Sequence, residues 1–231
     1  MRRLIDDKED TEQVFHILAA LNGADDLRAT KAMLDTPQGM ALAQRGESLI
    51  PFLDDHDALE RFEEGTLGHA YLTFMRREGL TASGLEAEEL KYDAKFYDDV
   101  MGWYNNRRRD LHDLIHVLTG YSRGAFGEVC NLAFSYRMNR GGIGDLFIAL
   151  AGVVELKRHF PHVPLVPAFR EALRNGRAAE LLYLADIEEL FALPLAEAQR
   201  RMGIRPSPLY QEARRAIEAS PAAQQPALQN A

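Results

Sequence analysis

Helix start and stop signals recur along this chain, and no convincing run of alternating β-branched residues appears between them. The segment TEQVFHILAALNG begins at Thr11, a residue type that caps helix N-termini, and reaches Asn22–Gly23, a pair typical of helix ends. ADDLRATKAMLDT predicts a second helix, and Pro37 opens a short third one. LGHAYLTFMRREG is amphipathic and ends at Gly79. The pattern predicts an all-α protein.

The C-terminal half follows the same pattern. KFYDDVMGWYNNRRR and IGDLFIALAGVVELKRHF indicate helices, and the second ends in cationic residues, the charge that a helix C-terminus favours. After the proline-rich connector PHVPLVP we predict three short helices, AFREALRNG, RAAELLYLADIEELFA and LAEAQRRMG. A chain of 231 residues without repeats can bury one sizeable core. We therefore predict a single-domain helical bundle over residues 1–212, and a helix end with a disordered tail over residues 213–231.

Charge and cysteine content exclude several classes of protein. The formal net charge of -8 argues against a nucleic-acid-binding protein, whose surface would carry a basic excess. The basic groups Arg107–Arg109, Lys157–Arg158 and Arg200–Arg201 are expected to be solvated helix faces, with contact to anionic lipid head groups as the alternative. A single cysteine, Cys130, excludes an intramolecular disulfide and is expected to be a small buried hydrophobic residue.

Four residues with metal-binding side chains lie in DLHDLIHVLTGYSRGAFGEV. On a helix, His112 and His116 are one turn apart on one face, and Asp113 lies beside His116 at i+3. Two imidazoles at this spacing can bind one metal ion, as they do in zinc sites of the H-E-x-x-H type. Glu128 follows twelve residues after His116, which in an unbroken helix would place it about 18 Å away.

Glycines provide the break that would bring Glu128 back to the histidines. Gly120, Gly124 and Gly127 lie between the two halves of the motif, and Gly120 is placed where a helix would end. We therefore predict a metal-binding helix-turn-helix hairpin that reverses near residues 121–124. If these residues instead continue the helix, the metal hypothesis fails.

The motif has two other interpretations. A histidine-bearing polar face of an ordinary helix is common, and it would need no metal. A zinc protease needs a glutamate beside its first histidine as general base, whereas this chain has the shorter Asp113. The nitrogen and oxygen ligands suit zinc, iron(II) or manganese and do not choose among them.

The motif resembles the signature of a known family, the fourth Coq protein of ubiquinone (coenzyme Q) biosynthesis. That signature is H-D-x-x-H, eleven residues and a glutamate, and His112, Asp113, His116 and Glu128 match it without a gap. MLDTPQG and EGTLGHAYLTFMRREGL resemble the N-terminal half of the family, and NGRAAELLYLADIEELFALPLAEAQRRMGIRPSPLY its C-terminal region. The resemblance covers about residues 25–212.

The resemblance implies a function and a location. The four matching positions would be both metal ligands and catalytic residues, with zinc the usual metal of the family and iron or manganese as alternatives. The reaction would be metal-dependent removal of the ring carboxylate from a polyprenylated hydroxybenzoate-type precursor, linked to ring hydroxylation, which makes the protein a carbon–carbon lyase. The lack of a presequence points to a bacterial cytoplasmic form. The resemblance itself implies that the protein is peripheral to the inner membrane, acts with other ubiquinone-biosynthesis proteins and forms a homodimer.

A second function from a different class stays open. The chain could be a non-catalytic scaffold that binds the lipid precursor and organises other ubiquinone-biosynthesis enzymes, with a purely structural metal. In either case a polyprenyl tail needs an apolar groove between helices. Candidate groove residues, for which plain core packing is the alternative, are Phe126, Leu132, Phe134, Phe147, Ile148, Leu150 and Val154. No G-x-G-x-x-G motif opens a helix, so no nicotinamide or flavin cofactor is expected.

Overall fold

A computed structural model describes residues 11–91 and 99–220 of the chain. Within these ranges it contains α-helices, one 3₁₀ turn at Leu182–Leu184 and one isolated backbone bridge between Thr66 and Pro194, but no strand. The all-α prediction is confirmed. The helices are α1 (Thr11–Leu34), α2 (Pro37–Arg45), α3 (Ile50–Leu53), α4 (His56–Leu59), α5 (Leu67–Glu78), α6 (Ala82–Lys91), α7 (Val100–Asp110), α8 (His112–Thr119), α9 (Ala125–Met138), α10 (Ile143–His159), α11 (Leu165–Ala178), α12 (Ile187–Phe191), α13 (Leu195–Arg201) and α14 (Pro208–Glu218).

Helix α9 occupies the centre of the bundle, between α10 and α11. Its side chains are buried around most of its circumference, which explains why its sequence is apolar on several sides. Gly176 of α11 permits the close approach, because a Cβ there would lie 2.2 Å from the carbonyl oxygen of Phe134. Cys130 is fully buried on this helix, as predicted, and burial raises the pKa of its thiol.

The predicted helix end at Asn22–Gly23 is wrong. Helix α1 runs through both residues without interruption, so two predicted helices form one of 24 residues. Glycine within a helix costs about 1 kcal/mol relative to alanine. The second half of α1 packs against α10 and buries Ala29 and Met33. This burial outweighs the local preference for a helix end.

The expectation that Arg107–Arg109 form a solvated face is also wrong. Arg107 donates to the carbonyl oxygens of Tyr183 and Ala185, at 2.7 and 3.1 Å. Arg108 bridges Asp26 of α1 and Asp145 of α10 at 3.0 and 3.1 Å. Each arginine therefore ties α7 to a different neighbour, and Arg109 does so through the carboxylates of Glu86 and Glu89 on α6, while it also pairs with Asp110 of α7 itself. Helix α7 leads directly into α8, so this network fixes the start of the histidine-bearing helix.

The segment RAAELLYLADIEELFA forms the 3₁₀ turn and α12 in place of one helix. Arg107 occupies the carbonyls of Tyr183 and Ala185, and Asp186 caps α12 by accepting from the Glu189 N–H at 3.0 Å. Both interactions favour a break between the two pieces. The predicted C-terminal tail lies outside the described residues from position 221 onward. In the parts of the chain that are described, no helix combines the length and apolar character needed to cross a membrane.

Candidate metal centre

Helices α8 and α9 form the predicted hairpin. Helix α8 ends at Gly120, whose φ of 74° lies in the left-handed region and whose N–H donates to the His116 carbonyl oxygen at 2.9 Å. Residues 121–124 are not helical, and α9 begins at Ala125. The loop folds back onto α9 so closely that a Cβ at Gly127 would lie 1.7 Å from the Ser122 carbonyl oxygen. The glycines therefore bring the start of α9 beside the end of α8.

The hairpin brings three predicted ligand atoms together in a triangle with equal sides. His112 Nε2 lies 3.3 Å from His116 Nε2, and Glu128 Oε2 lies 3.3 Å from each of these nitrogens. A tetrahedral zinc ion with ligands at about 2.0–2.1 Å would separate them by about 3.3–3.4 Å. The spacing therefore suits a single small divalent cation.

Asp113 lies beside this triangle. A carboxylate oxygen of Asp113 and one ring nitrogen from each of His112 and His116 all lie within 4.8 Å of one another. The residue is buried. Carboxylate oxygens are common ligands of zinc and other divalent cations, so Asp113 is placed to take part in binding a cation here.

The backbone of the loop orients one of the imidazoles. His116 Nδ1 lies 3.0 Å from the Tyr121 carbonyl oxygen, which can only accept, so Nδ1 carries a proton and the other ring nitrogen, Nε2, faces Glu128 and His112. Nε2 would offer its lone pair to a metal once it carries no proton itself. Metal-binding histidines generally donate their second N–H in this way. The His116 ring is fully buried and stacks on Phe74 of α5, with ring centroids 6.0 Å apart.

Charge interactions within the triangle are strong. Burial alone would raise the pKa of Glu128, but hydrogen bonds from His112 and His116 outweigh it and hold that pKa well below its usual range. For His112, burial would lower the pKa, whereas the hydrogen bond and charge of Glu128 raise it to about 8. The Glu128 carboxylate is thus ionised, as a metal ligand must be, whereas His112 would have to release its proton before it binds a metal.

One side of the triangle is accessible from outside. About a third of the Glu128 side chain is exposed, and the His112 side chain is 28% exposed. Arg123, in the loop, lies 3.8 Å from the outward Oε1 of Glu128. A metal ion in the triangle could therefore keep a position open to a further ligand, which is the arrangement of catalytic rather than structural zinc sites.

The C-terminal region clamps the loop of the hairpin. The Tyr210 hydroxyl accepts from the Ser122 N–H at 2.8 Å, and the Tyr121 and Ser207 hydroxyls lie 3.2 Å apart. Sequence reasoning missed these contacts, because residues 86 or more positions away provide them and neither tyrosine nor serine marks a metal site. It also missed Asn131, a fully buried amide whose Nδ2 lies 3.4 Å from His112 Nε2.

Comparisons with known proteins agree on one family. The sequence matches the family described as Coenzyme Q (ubiquinone) biosynthesis protein Coq4 over residues 17–208. It is 26% identical over 179 residues to the mitochondrial ubiquinone biosynthesis protein COQ4 homolog of Rattus norvegicus, and the aligned region covers 77% of this chain and 65% of that protein. It is 24% identical over 193 residues to the mitochondrial ubiquinone biosynthesis protein COQ4 of Lodderomyces elongisporus, and the aligned region covers 81% of this chain and 49% of that protein.

A solved structure has a similar fold. The crystal structure of a putative ubiquinone biosynthesis protein from Nostoc punctiforme aligns with a TM-score of 0.60 at 24% identity, covering 84% of this chain and 88% of that one. The aligned part of this chain spans about half to two thirds of the length of the mitochondrial relatives. Because the family match extends over most of the sequence, the chain belongs to the coenzyme Q (ubiquinone) biosynthesis protein Coq4 family.

Proposed function

We propose that this protein is a metal-dependent decarboxylase of ubiquinone biosynthesis, acting oxidatively on the ring carboxylate of a polyprenylated hydroxybenzoate-type precursor. The observation that carries the proposal is the triangle of His112, His116 and Glu128 with one side accessible. These residues would hold a divalent cation, and Asp113 would be a fourth protein ligand, so that the substrate oxygen would take a fifth position on the accessible side. Zinc is our first choice, and iron and manganese suit the same donors.

A bound metal would supply a Lewis acid that withdraws electrons from an oxygen of the ring carboxylate or the neighbouring phenol. The protein's own residues would hold and orient that oxygen. Buried His116, with its Nδ1–H fixed on the Tyr121 carbonyl, would keep the ligand set rigid. The Phe74 ring beside it would exclude water from the inner side of the site. With zinc, which has no redox chemistry, this Lewis-acid role would support loss of carbon dioxide alone. Oxidative release, which replaces the carboxylate by a hydroxyl group, would also need dioxygen, a two-electron reductant and a redox-active metal such as iron or manganese in the same site.

The test compares the wild type with His116→Ala and, as a matched control, His159→Ala on the surface of α10, where the imidazole pairs only with Glu155 among the described residues. Each protein is loaded with zinc, iron(II) or manganese, and carbon dioxide release from a prenylated hydroxybenzoate is measured with and without dioxygen and reductant. We expect His116→Ala to lose metal and activity while His159→Ala keeps both. Full activity in metal-free protein would refute the proposal.

Contact with lipid, which both the enzyme and the non-catalytic lipid-binding scaffold need, is supported by a different observation. Phe147, Leu150 and Val154 lie on one face of α10 and are 40%, 46% and 56% exposed. Of the predicted groove residues, Phe126 and Phe134 are instead buried in the core. An exposed apolar row of this kind is typical of an interaction surface. We assign it to contact with the inner membrane of a bacterial cell.

Vesicle flotation tests this assignment. Leu150→Glu should reduce binding to anionic lipid vesicles, whereas Met40→Glu, on exposed α2, should not. If the wild type does not bind vesicles and Leu150→Glu converts a dimer into a monomer, the exposed apolar row of α10 is a homodimer interface instead. If all metal-loaded forms bind lipid precursor but never release carbon dioxide, the scaffold function replaces catalysis.

A further inference from the structure

Arg123 lies at the accessible side of the triangle, and the proposed chemistry gives it no role so far. Its side chain is 40% exposed, and its Nε lies 3.8 Å from Glu128 Oε1, the oxygen that faces away from the histidines. This distance is longer than a hydrogen bond. A guanidinium carries five N–H donors, and in the described parts of the chain those of Arg123 have no hydrogen-bond acceptor. The donors are therefore available to a ligand.

The loop holds the backbone of Arg123 in place although the side chain is exposed. The residue before it, Ser122, donates its N–H to the Tyr210 hydroxyl at 2.8 Å, and the Ser122 hydroxyl accepts from Tyr210 at 3.0 Å. The carbonyl oxygen of the residue after it, Gly124, accepts from the Glu128 N–H at 3.0 Å. The backbone on both sides of Arg123 is thus tied to α14 and α9. A cation on an anchored backbone loses less entropy on binding a ligand than one on a free loop.

The charges of the site are suited to an anionic ligand. Under the proposed function, Glu128 and Asp113 would bind a divalent cation as carboxylates, and histidines bind metals as neutral ligands. The two carboxylates would balance the charge of the ion, and Arg123 would leave one positive charge in excess at the open side. A benzoate-type substrate carries one carboxylate. The charge of that group is therefore complementary to the charge of the site.

Glu128 is the rival for the guanidinium, because its Oε1 is the acidic oxygen that lies beside Arg123. At 3.8 Å this oxygen attracts Arg123 without accepting a hydrogen bond from it. A bound cation would draw the Glu128 charge towards Oε2, which lies 3.3 Å from Nε2 of both His112 and His116. The planar guanidinium could then donate two parallel N–H bonds to a substrate carboxylate, a geometry that lysine does not offer.

We propose that Arg123 binds the ring carboxylate of the substrate and selects the acid over the corresponding phenol, which makes it a specificity-determining residue. The inference rests on the proposed function. As carbon dioxide leaves, the electron pair of the breaking bond passes to the ring, so the ion pair with Arg123 weakens. An interaction that is stronger in the bound substrate than in the transition state lowers KM and does not raise kcat. The product, which has lost its carboxylate, would be released more easily than the substrate.

Equilibrium binding gives the test. Zinc-loaded wild type, Arg123→Gln, Arg123→Lys and Arg137→Gln are titrated with a geranyl-substituted hydroxybenzoate and with the geranylphenol that lacks its carboxylate. A hydrogen bond to a charged group typically contributes about 10–100-fold in affinity, and partial exposure of Arg123 favours the lower end. The Kd of the benzoate should rise about tenfold in Arg123→Gln and less in Arg123→Lys, whereas the Kd of the phenol should not change.

Arg137→Gln is the matched control. Arg137 is on the same helix as Glu128, about 13 Å further along its axis, and its guanidinium lies over the Tyr136 ring. The substitution removes the same charge and should leave both Kd values unchanged. Zinc affinity is measured in parallel by competition with a chelator, and Arg123→Gln should bind zinc at least as tightly as wild type, because a neighbouring cation has been removed. Circular dichroism checks that each variant is folded.

Turnover gives a further readout. Arg123→Gln should raise KM for the benzoate about tenfold and leave kcat unchanged or higher. A preference for the benzoate over the phenol that stays within about twofold of wild type in Arg123→Gln would overturn the proposal. If zinc binding weakens while that preference is kept, Arg123 only supports Glu128; if binding to anionic lipid vesicles weakens instead, its anion is a lipid head group. Either result overturns the proposal.

Failure of the proposed function has a separate signature. If the wild type binds no zinc or releases no carbon dioxide, that function fails, and the two ligands are titrated into the protein as it stands. A preference for the benzoate that is lost in Arg123→Gln and kept in Arg137→Gln then supports the role of Arg123. A wild type that binds both compounds equally, or neither of them, overturns it.

Discussion

Replacing Gly127 by alanine tests whether the tight loop of the hairpin holds the site together. Alanine is normally the better helix residue, by about 1 kcal/mol. At Gly127, however, the new Cβ would lie 1.7 Å from the Ser122 carbonyl oxygen. Since a carbon and an oxygen in contact need roughly twice that separation, the loop must move away from α9 by about 1.5 Å.

A shift of that size would also displace the side chains that are predicted to bind the metal. The displaced loop carries Tyr121, whose carbonyl oxygen accepts from His116 Nδ1 at 3.0 Å, and α9 carries Glu128 one residue after the substitution. Overpacking of this kind typically costs about 1–3 kcal/mol. We therefore expect Gly127→Ala to lower the free energy of unfolding by at least that amount and to weaken zinc binding about tenfold or more.

Urea unfolding of the metal-free protein and a competitive zinc titration measure both effects. Gly23→Ala is the matched control, because Gly23 is also inside a helix but nothing lies within 4 Å of its added Cβ. It should raise the free energy of unfolding by up to about 1 kcal/mol and leave zinc affinity unchanged. If Gly127→Ala is as stable as wild type and binds zinc equally well, the loop does not position the ligands.

Two further predictions concern buried charge. Glu128 raises the pKa of His112 to about 8. The stabilisation from this pair is therefore fully present below about pH 6.5, and the free energy of unfolding of the metal-free protein should fall by about 1–2 kcal/mol as the pH rises to 8. In Glu128→Gln, urea unfolding at several pH values should show this fall reduced or absent. Arg108→Met should cost about 3–5 kcal/mol, because it leaves the buried carboxylates of Asp26 and Asp145 without their shared partner. Adding Asp26→Asn and Asp145→Asn should recover much of that loss, and an unaltered unfolding midpoint in Arg108→Met would contradict the reasoning.

The hairpin could be predicted from sequence because its determinants are local. Gly120 ends α8 in the left-handed conformation that few other residues adopt, and eleven residues separate His116 from Glu128, enough for one reversal and one helical turn. The helix end at Asn22–Gly23 was predicted by the same kind of local rule and is wrong. There the stabilisation comes from packing of α1 on α10, a contact across more than a hundred residues that no local pattern encodes.

The arginine run shows the same limit for charged residues. From sequence alone, three adjacent arginine side chains are predicted to be exposed to solvent, since an unpaired charge is costly to bury. Whether partners exist depends on which elements surround α7. Asp26 and Asp145 lie 82 and 37 residues from Arg108, so their pairing becomes visible only once α1 and α10 are packed together.

The residues predicted to bind a metal do not define the candidate site by themselves. His116 is oriented by the Tyr121 carbonyl, and the loop that presents this carbonyl is held by Ser207 and Tyr210 of the C-terminal region. Tyr210 is in turn fixed because its backbone N–H donates to Glu171 of α11 at 3.1 Å. A short motif can therefore specify which atoms would bind a metal. The orientation of those atoms depends on α14, a helix that carries no predicted metal ligand. The peptide spanning the motif alone should for this reason bind a metal far more weakly than the folded chain.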